Sequence, residues 1–442
     1  MRLTRPRALA ACLVGVVGLL PAASRAGLSV DQMLERHHEL VAIDQGSPLP
    51  TTAPRRGRVA VQLGRAPFAR VPFEGDPARP FTSAPLVGPD LPLDAGVAVE
   101  QTLLAPEENR LAATVRLGAE YSERDDRWHF VGSEIALPLG PGTAYVSNES
   151  RHWGPGWFGS TILDAAAPPV AAGGWRFGEA ADAHWRGDFF AGRLRGAQTY
   201  EHPWLIGMRL EWRPTPAWTL ALSRTMQVGG RGRDESLRTL LRALVSSDTV
   251  GRAGVTTDNE PGNEEGAFDA RYAHRWRGAD LGVYLQLTAE DKGKYVPTRR
   301  MPLVGADAGV RLGALSLRAI AEFVQTQAGS AHGLAYTHHI YQGGYTNRNE
   351  PLGHPIGGDS RLASLGLLLD DGRFSGLLAL HHGRALPESQ RFVAGDTLEG
   401  GDVALRIALR RDLRVGLSLH AWRAGAETRH WGQVFAEYTW DR

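Results

Sequence analysis

Ile206-Gly-Met-Arg-Leu-Glu-Trp-Arg213 runs into Pro214-Thr215-Pro216 and resumes as Trp218-Thr-Leu-Ala-Leu222. Apolar residues stand at 206, 208, 210 and 212, then at 218, 220 and 222. Gly207, Arg209, Glu211 and Arg213 fill the places between the first four. Side chains on a strand point alternately to opposite faces. This spacing therefore predicts an antiparallel hairpin with one apolar and one polar face.

The pattern repeats in both directions. Upstream, Leu111, Ala113, Val115 and Leu117 alternate with Ala112, Thr114, Arg116 and Gly118. Downstream, Phe268, Ala270 and Tyr272 pass through Arg277-Gly278 to Leu281, Val283, Leu285 and Leu287. Val403, Leu405, Ile407 and Leu409 pass through Arg411-Asp412 to Leu413, Val415, Leu417 and Leu419. A soluble sandwich would bury the apolar face; a membrane barrel turns it to lipid and keeps a polar lumen. Large charges opposite the apolar positions (Arg116, Arg209, Glu211, Arg271, Arg406, Arg414), abundant glycine, and a last strand reading Val434, Ala436, Tyr438, Trp440 favour the barrel. Asp441-Arg442 follow that terminal Trp. The fold expected is all-β, a transmembrane antiparallel β-barrel. About 10 residues per strand allows roughly 14–18 strands. No repeat of fixed period points to a propeller or solenoid.

The chain opens like a secretory signal, residues 1–26. Arg2, Arg5 and Arg7 precede the apolar run Ala8 to Leu20, and Ser24-Arg25-Ala26 offers a small-x-small cleavage site. The only cysteine, Cys12, lies inside it, and its apolar run follows instead of preceding it, which argues against lipidation. The mature chain then holds no thiol for a disulfide, nucleophile or metal. Residues 27–92 read as a short N-terminal helical and irregular periplasmic segment: Asp31 to Ile43 has helical spacing, and Pro-rich sequence continues to about Pro92. The barrel is expected over 93–442, with long loops near 150–172, 229–266 and 341–359. Within the second, Leu237, Leu240, Leu241 and Leu244 predict a helix over 234–245, followed by acidic Asp258, Glu260, Glu264 and Glu265. Past the signal no run of 18 apolar residues could form a spanning helix.

Lys plus Arg number 49 against 48 Asp plus Glu, so no nucleic-acid footprint is present. Nearly all the bases are arginine, lysine occurring only at 292 and 294.

Arg151-His-Trp153-Gly-Pro-Gly-Trp157, with Gly159-Ser160 and Pro168-Pro169, sets two flat rings around a rigid turn. This stretch resembles a motif of the capsule-assembly outer-membrane proteins, the Wzi family. Further pieces are similar and fall in order. They include Gly207 to Pro214, Leu222-Ser-Arg224, Gly229-Gly230-Arg-Gly232 and Pro261-Gly262-Asn263. After these come Gly266-Ala-Phe268-Asp269, Tyr284, Gln286, Ala289-Glu290-Asp291, Glu322, His338 to Tyr341, Gly343-Gly344-Tyr345 and Leu352-Gly353-His354. The resemblance implies a non-enzymatic barrel that holds capsular polysaccharide or exopolysaccharide at the surface of a Gram-negative cell. This N-terminal segment offers one short helix where the family has an occluding helical bundle.

The candidate polysaccharide-binding residues are Tyr345, Asn347 and Arg348 in the Gly-rich stretch after Gln342, then Trp153 and Trp157. The two tryptophans have a structural alternative in an interfacial aromatic girdle or a loop brace. Arg209, Glu211, Arg224, Asp269, Arg271, Glu290 and Glu322 are expected to pair inside a closed lumen; a transport path is the alternative use of the same charges. His338-His339 and His381-His382 are poor chelators if they lie on strands, where neighbours point apart. The acidic cluster lacks EF-hand spacing. Ser160 with His152 lacks a nucleophile elbow, and phosphate, zinc-protease and dinucleotide fingerprints are missing. The expectation is no cofactor, no metal and no catalysis. Expected partners are the polysaccharide and outer-membrane lipid, and the chain is expected to be a monomer. A porin-like channel for small solutes or glycans is the alternative function.

Overall fold

The computed structural model describes Met33, Arg36 and residues 56–65, 93–102, 114–122, 127–130, 132–165, 168–178, 183–196, 198–239, 241, 262–292 and 297–441. Among these residues, nineteen strands form one antiparallel sheet, and a two-residue hairpin stands apart. The first strand, Arg56–Arg65, pairs with the last, Glu427–Asp441, from Arg56↔Asp441 to Gly64↔Gln433. The sheet is therefore closed into a barrel. Arg127–His129 and Ser133–Leu139 pair in succession with Thr114–Ser122 and make one interrupted stave, so nineteen strands give eighteen staves. An up-and-down sheet can close antiparallel only with an even number.

The faces decide between the two architectures left open by the alternation. On Gly262–Trp276, Asn263, Glu265, Asp269 and Arg271 are buried while Phe268 is exposed. On Ala279–Lys292, Asp280, Tyr284, Gln286 and Thr288 are buried and Val283 is exposed. Leu210, Leu222, Leu365, Leu380, Val403 and Ile407 also face out. Polar residues line the interior and apolar ones the outside, the inverse of a sandwich and the sign required by lipid.

The rims differ. One has tight turns: 216–217, 277–278, 313–314 and 411–412. At Arg277-Gly278 both residues have positive φ (52° and 84°), the geometry that suits a two-residue hairpin. The other rim carries the long connections 149–171, 194–203, 229–261, 326–359 and 386–396. Outer-membrane barrels put short turns toward the periplasm and long loops outside. Trp185, Trp212, Trp218 and Trp276 are exposed near the tight-turn rim, with Trp185 stacked on Trp212 at 5.6 Å and Trp218 tilted against Tyr272 at 4.8 Å. These, and not Trp153 and Trp157, form the aromatic girdle.

Some sequence boundaries need correction. A barrel strand lies at Arg56–Arg65, inside the stretch read as irregular: Val59, Val61 and Leu63 alternate there, but flanking prolines hide so short a signal. The 229–266 connection ends at 261, because Gly262 already pairs with Val228. The 341–359 loop begins at 326. Of the helix expected over 234–245, residues 234–236 are not helical, residues 237–239 and 241 are, and 240 and 242–245 lie outside the described residues. The same holds for Asp31 to Ile43, where Met33 and Arg36 are helical. The signal segment and the acidic residues Asp258 and Glu260 also fall outside them.

Inside, the charges are largely paired. Arg209 grips Asp269 through two bonds of 2.7 and 3.0 Å, Arg213 donates to Glu211 at 2.9 Å, and Arg224 to Glu264 at 2.7 Å. Asp307 is shared between Arg271, at 2.9 Å, and Arg318. Asp307→Asn would leave two buried guanidiniums facing a neutral amide. Breaking such a pair costs about 3–5 kcal/mol. The temperature at which the compact heat-modifiable form is lost on a gel should fall clearly; an unchanged temperature would show that lumenal water replaces the carboxylate.

Candidate functional site

Residues quoted from distant parts of the sequence converge at the long-loop rim. The 149–171 connection turns inward at Trp153-Gly-Pro-Gly-Trp157. Gly154 takes a φ of 141°, and a Cβ there would strike the Gln286 amide. Gln286, on the barrel wall, donates to the Trp153 carbonyl at 2.8 Å and accepts from the Thr161 backbone N–H at 2.8 Å. Glu322 accepts from the backbone N–H groups of Trp157 (2.7 Å) and Phe158 (3.2 Å) and from the Tyr284 hydroxyl (2.9 Å). It thus holds a loop through its backbone, where an ion pair was expected.

Trp157 is fully buried. Its indole donates to Asp307 at 3.4 Å, and its ring packs beneath Arg318 and Arg36, at 5.9 and 4.9 Å from the centroid. Arg36 also donates to the Gly156 carbonyl at 2.8 Å. Arg36 therefore reaches the same place. Trp153 is buried against Phe190 and donates to Asp188 at 3.3 Å.

The 326–359 connection locks onto the first. Tyr336 donates to the Thr161 carbonyl at 2.8 Å and accepts from the His354 N–H at 3.1 Å. The Asp164 N–H donates to the Leu352 carbonyl at 2.7 Å. Tyr345, 1% exposed, stacks near Tyr336 and donates to Thr225 on the wall at 2.8 Å. Burial pushes its phenol up, so it stays a neutral donor.

Asn347, also 1% exposed, joins three connections. Its amide donates to the carbonyls of Pro168 (2.8 Å) and Pro169 (3.2 Å), and its oxygen accepts from the Arg195 N–H at 2.9 Å. Arg348 and Asn349 follow with φ of 50° and 67°, forming the tip of a hairpin between Thr346–Asn347 and Glu350–Pro351. Of the five candidates, only Arg348 is partly exposed. The other four are brought together beneath the surface. No stacking ring among them faces outward.

The sequence reading missed a neighbouring cluster on this rim. Arg233 lies over both Tyr200 and Tyr341, at 5.2 and 5.7 Å, and these rings meet edge to face at 5.9 Å. Arg195, Arg231, His339 and Gln342 are exposed around it. Its members come from three connections, so no local spacing announces it.

Ser160 and His152 do not form a nucleophile and base. The serine hydroxyl donates to the Trp153 carbonyl, while His152 Nε2 meets the Gly156 carbonyl at 3.0 Å and Nδ1 lies 3.2 Å from Asp164. His338-His339 lie in a connection, not on a strand, and their rings are 4.4 Å apart. Burial, with help from His339 and Arg233, pushes His338 down to about 3. His381 and His382 do lie on a strand: one bonds Asp402 inside, the other is exposed outside. Among the described residues, three or more His, Cys, Asp or Glu nowhere gather as a metal site would require.

Burial holds His354 neutral, pushing it down to about 4 from 6.5. Between those values the unlocked chain binds more protons than the locked one. The stabilisation is complete above about pH 6.5 and falls as pH drops toward 4, by about 3 kcal/mol at the lower end. Asp359, pushed up to about 6 by burial, acts in the opposite sense. Hydrogen exchange in 326–359 at pH 7 and 4.5, compared between wild type and His354→Asn, cancels that opposing part. The wild type should loosen more on acidification; equal slopes would refute the role of His354.

A family model for capsule assembly protein Wzi matches residues 96–429. An uncharacterised 55.8 kDa protein in the cps region of Klebsiella pneumoniae is 29% identical over 285 residues, covering 60% of this chain and 55% of that protein. The matched region thus spans about half the length of that relative. The solved structure of Wzi from Escherichia coli is of an outer-membrane protein involved in group 1 capsule assembly, described as a carbohydrate-binding β-barrel. It matches with a TM-score of 0.70 at 20% identity, over 94% of this chain and 90% of that one. That likeness shows the fold.

Proposed function

This chain belongs to the Wzi capsule-assembly family, and on that premise we propose that it is an outer-membrane protein that holds capsular polysaccharide or exopolysaccharide at the cell surface without catalysing a reaction. One observation carries the reading: connections 149–171, 194–203 and 326–359 are bonded to one another and to the barrel wall through Asn347, Tyr336 and Glu322. The mouth is a fixed platform, and the packing under it opposes the porin-like alternative. The description of Escherichia coli Wzi as carbohydrate-binding supports the same choice.

In this reading Tyr345, Asn347, Trp153 and Trp157 act from below, holding the platform in shape. Arg348 at the hairpin tip, with Arg233 over Tyr200, contacts the polymer. Guanidinium forks bond hydroxyls and carboxylates, and the Tyr200 ring offers a sugar a flat face. Each such contact is worth about 1 kcal/mol, or about fivefold in affinity. Repetition along a long polymer turns weak sites into firm retention. The partners are the polysaccharide and the surrounding lipid, and the working unit is a monomer.

The test combines Tyr200→Ala, Arg233→Ala and Arg348→Ala. Polymer should move from cells to medium while the barrel remains inserted and heat-modifiable. Full retention by a correctly inserted triple variant would remove these residues from the contact surface.

A further inference from the structure

On the outside of the barrel wall, just below the long-loop rim, a hollow of about 530 Å³ is lined by Phe323, Arg361, Ala363, His382, Arg384 and Thr397. All six are exposed. Arg361 and Arg384 stand directly opposite one another on strands Ser360–Asp370 and Phe374–Ala385, each one residue in from the rim, and Ala363 stands opposite His382. Farther along the same face, Leu365, Leu378 and Leu380 point outward. The two arginines therefore crown the apolar belt, where hydrocarbon gives way to headgroups and an outward charge costs little.

Like charges directly opposite one another destabilise a strand pair. Among the described residues nothing offsets this one: neither guanidinium has a carboxylate or other hydrogen-bond partner there. Glu399, on the next strand, bonds Arg423 at 2.5 Å and lies 3.7 Å from His382. Gly395 leaves Arg384 room: a Cβ there would stand 3.8 Å from its Nη2.

We propose that this hollow binds the phosphate of an anionic lipid headgroup in the outer leaflet. Arg361 and Arg384 present two forks to one phosphate, whose charge relieves their mutual repulsion. His382 adds an N–H donor, and Phe323 and Ala363 pack against the apolar part of the lipid. This rests on the barrel standing in the membrane with its long connections outward. It does not depend on polysaccharide binding, and it can fail or hold separately.

The experiment titrates the purified full-length protein, in neutral detergent, with diphosphoryl lipid A, dephosphorylated lipid A and inorganic phosphate, read by native mass spectrometry. Binding of diphosphoryl lipid A should weaken about tenfold or more in Arg361→Ala/Arg384→Ala, and the dephosphorylated lipid should bind both proteins weakly and alike. Equal affinity for diphosphoryl lipid A in wild type and variant, both heat-modifiable, would overturn the proposal. So would dephosphorylated lipid binding as well as the diphosphoryl form. Inorganic phosphate binding as tightly as the lipid would assign the hollow to a free anion and overturn the lipid assignment. If the alanine variant does not fold, Arg361→Gln/Arg384→Gln keeps the side-chain bulk and takes its place.

Discussion

Trp157→Ala will turn a closed barrel into a conducting one. The wild-type protein should show almost no current in a planar bilayer, because the Trp157 ring, the 149–171 connection and Arg36 meet in the lumen. Removing a fully buried Trp costs about 3–5 kcal/mol. Here the vacated space is bordered by Asp307, Arg318 and Arg36, so water will enter it. Glu322 still grips the backbone at 157 and 158, so the single variant should flicker and Trp157→Ala with Glu322→Ala should open steadily. Trp157→Phe, which keeps most of the bulk, should stay nearly closed. Large stable openings from the wild type would reverse this account and favour the porin-like function.

The second large effect is expected at Asn347. Alanine there removes one acceptor and one donor group, leaving the Arg195 N–H and the Pro168 and Pro169 carbonyls without that partner. Each unsatisfied buried group costs about 1–3 kcal/mol. The loss falls on the loops, not on the staves. Proteases should therefore cut 149–171 and 326–359 much faster while the barrel's thermal transition hardly moves, and cell-bound polysaccharide should drop. Asn347→Asp keeps the acceptor but sets a buried carboxylate against the Pro168 and Pro169 carbonyls, so it should be at least as damaging as alanine. A variant with intact loops and normal retention would show that Asn347 is not the clasp.

The staves were legible because period two survives in any single sequence: Ile206 to Trp212 announces its strand without help from neighbours. Which face meets lipid was less legible. Alternation marks two faces without saying which lies inside, and the answer was hinted at only indirectly, by large charges such as those at 209, 211 and 271, by abundant glycine and by the aromatic-ended last strand. The loop core was legible in content and not in place. Trp153, Gln286, Glu322, Tyr345 and Asn347 were all singled out from the sequence, yet their bonds join positions more than a hundred residues apart. No local spacing encodes such a contact, so the two buried tryptophans read as a girdle, a loop brace or a sugar platform. The Tyr200–Arg233–Tyr341 cluster escaped for the same reason.

The pairing of Arg56–Arg65 with Glu427–Asp441 has a consequence for how the molecule is made. Most other staves find their partner next to themselves in sequence, at a small entropic cost. This seam joins the two ends of the described chain and cannot form until the last strand exists. Until then both strands present open hydrogen-bonding edges, the kind that recruit stray partners. Closing the seam carries the largest loop-closure cost of the sheet's pairings and is expected to come late in biogenesis. A change that weakens it would show first as aggregated newly made chains, long before it altered any finished barrel.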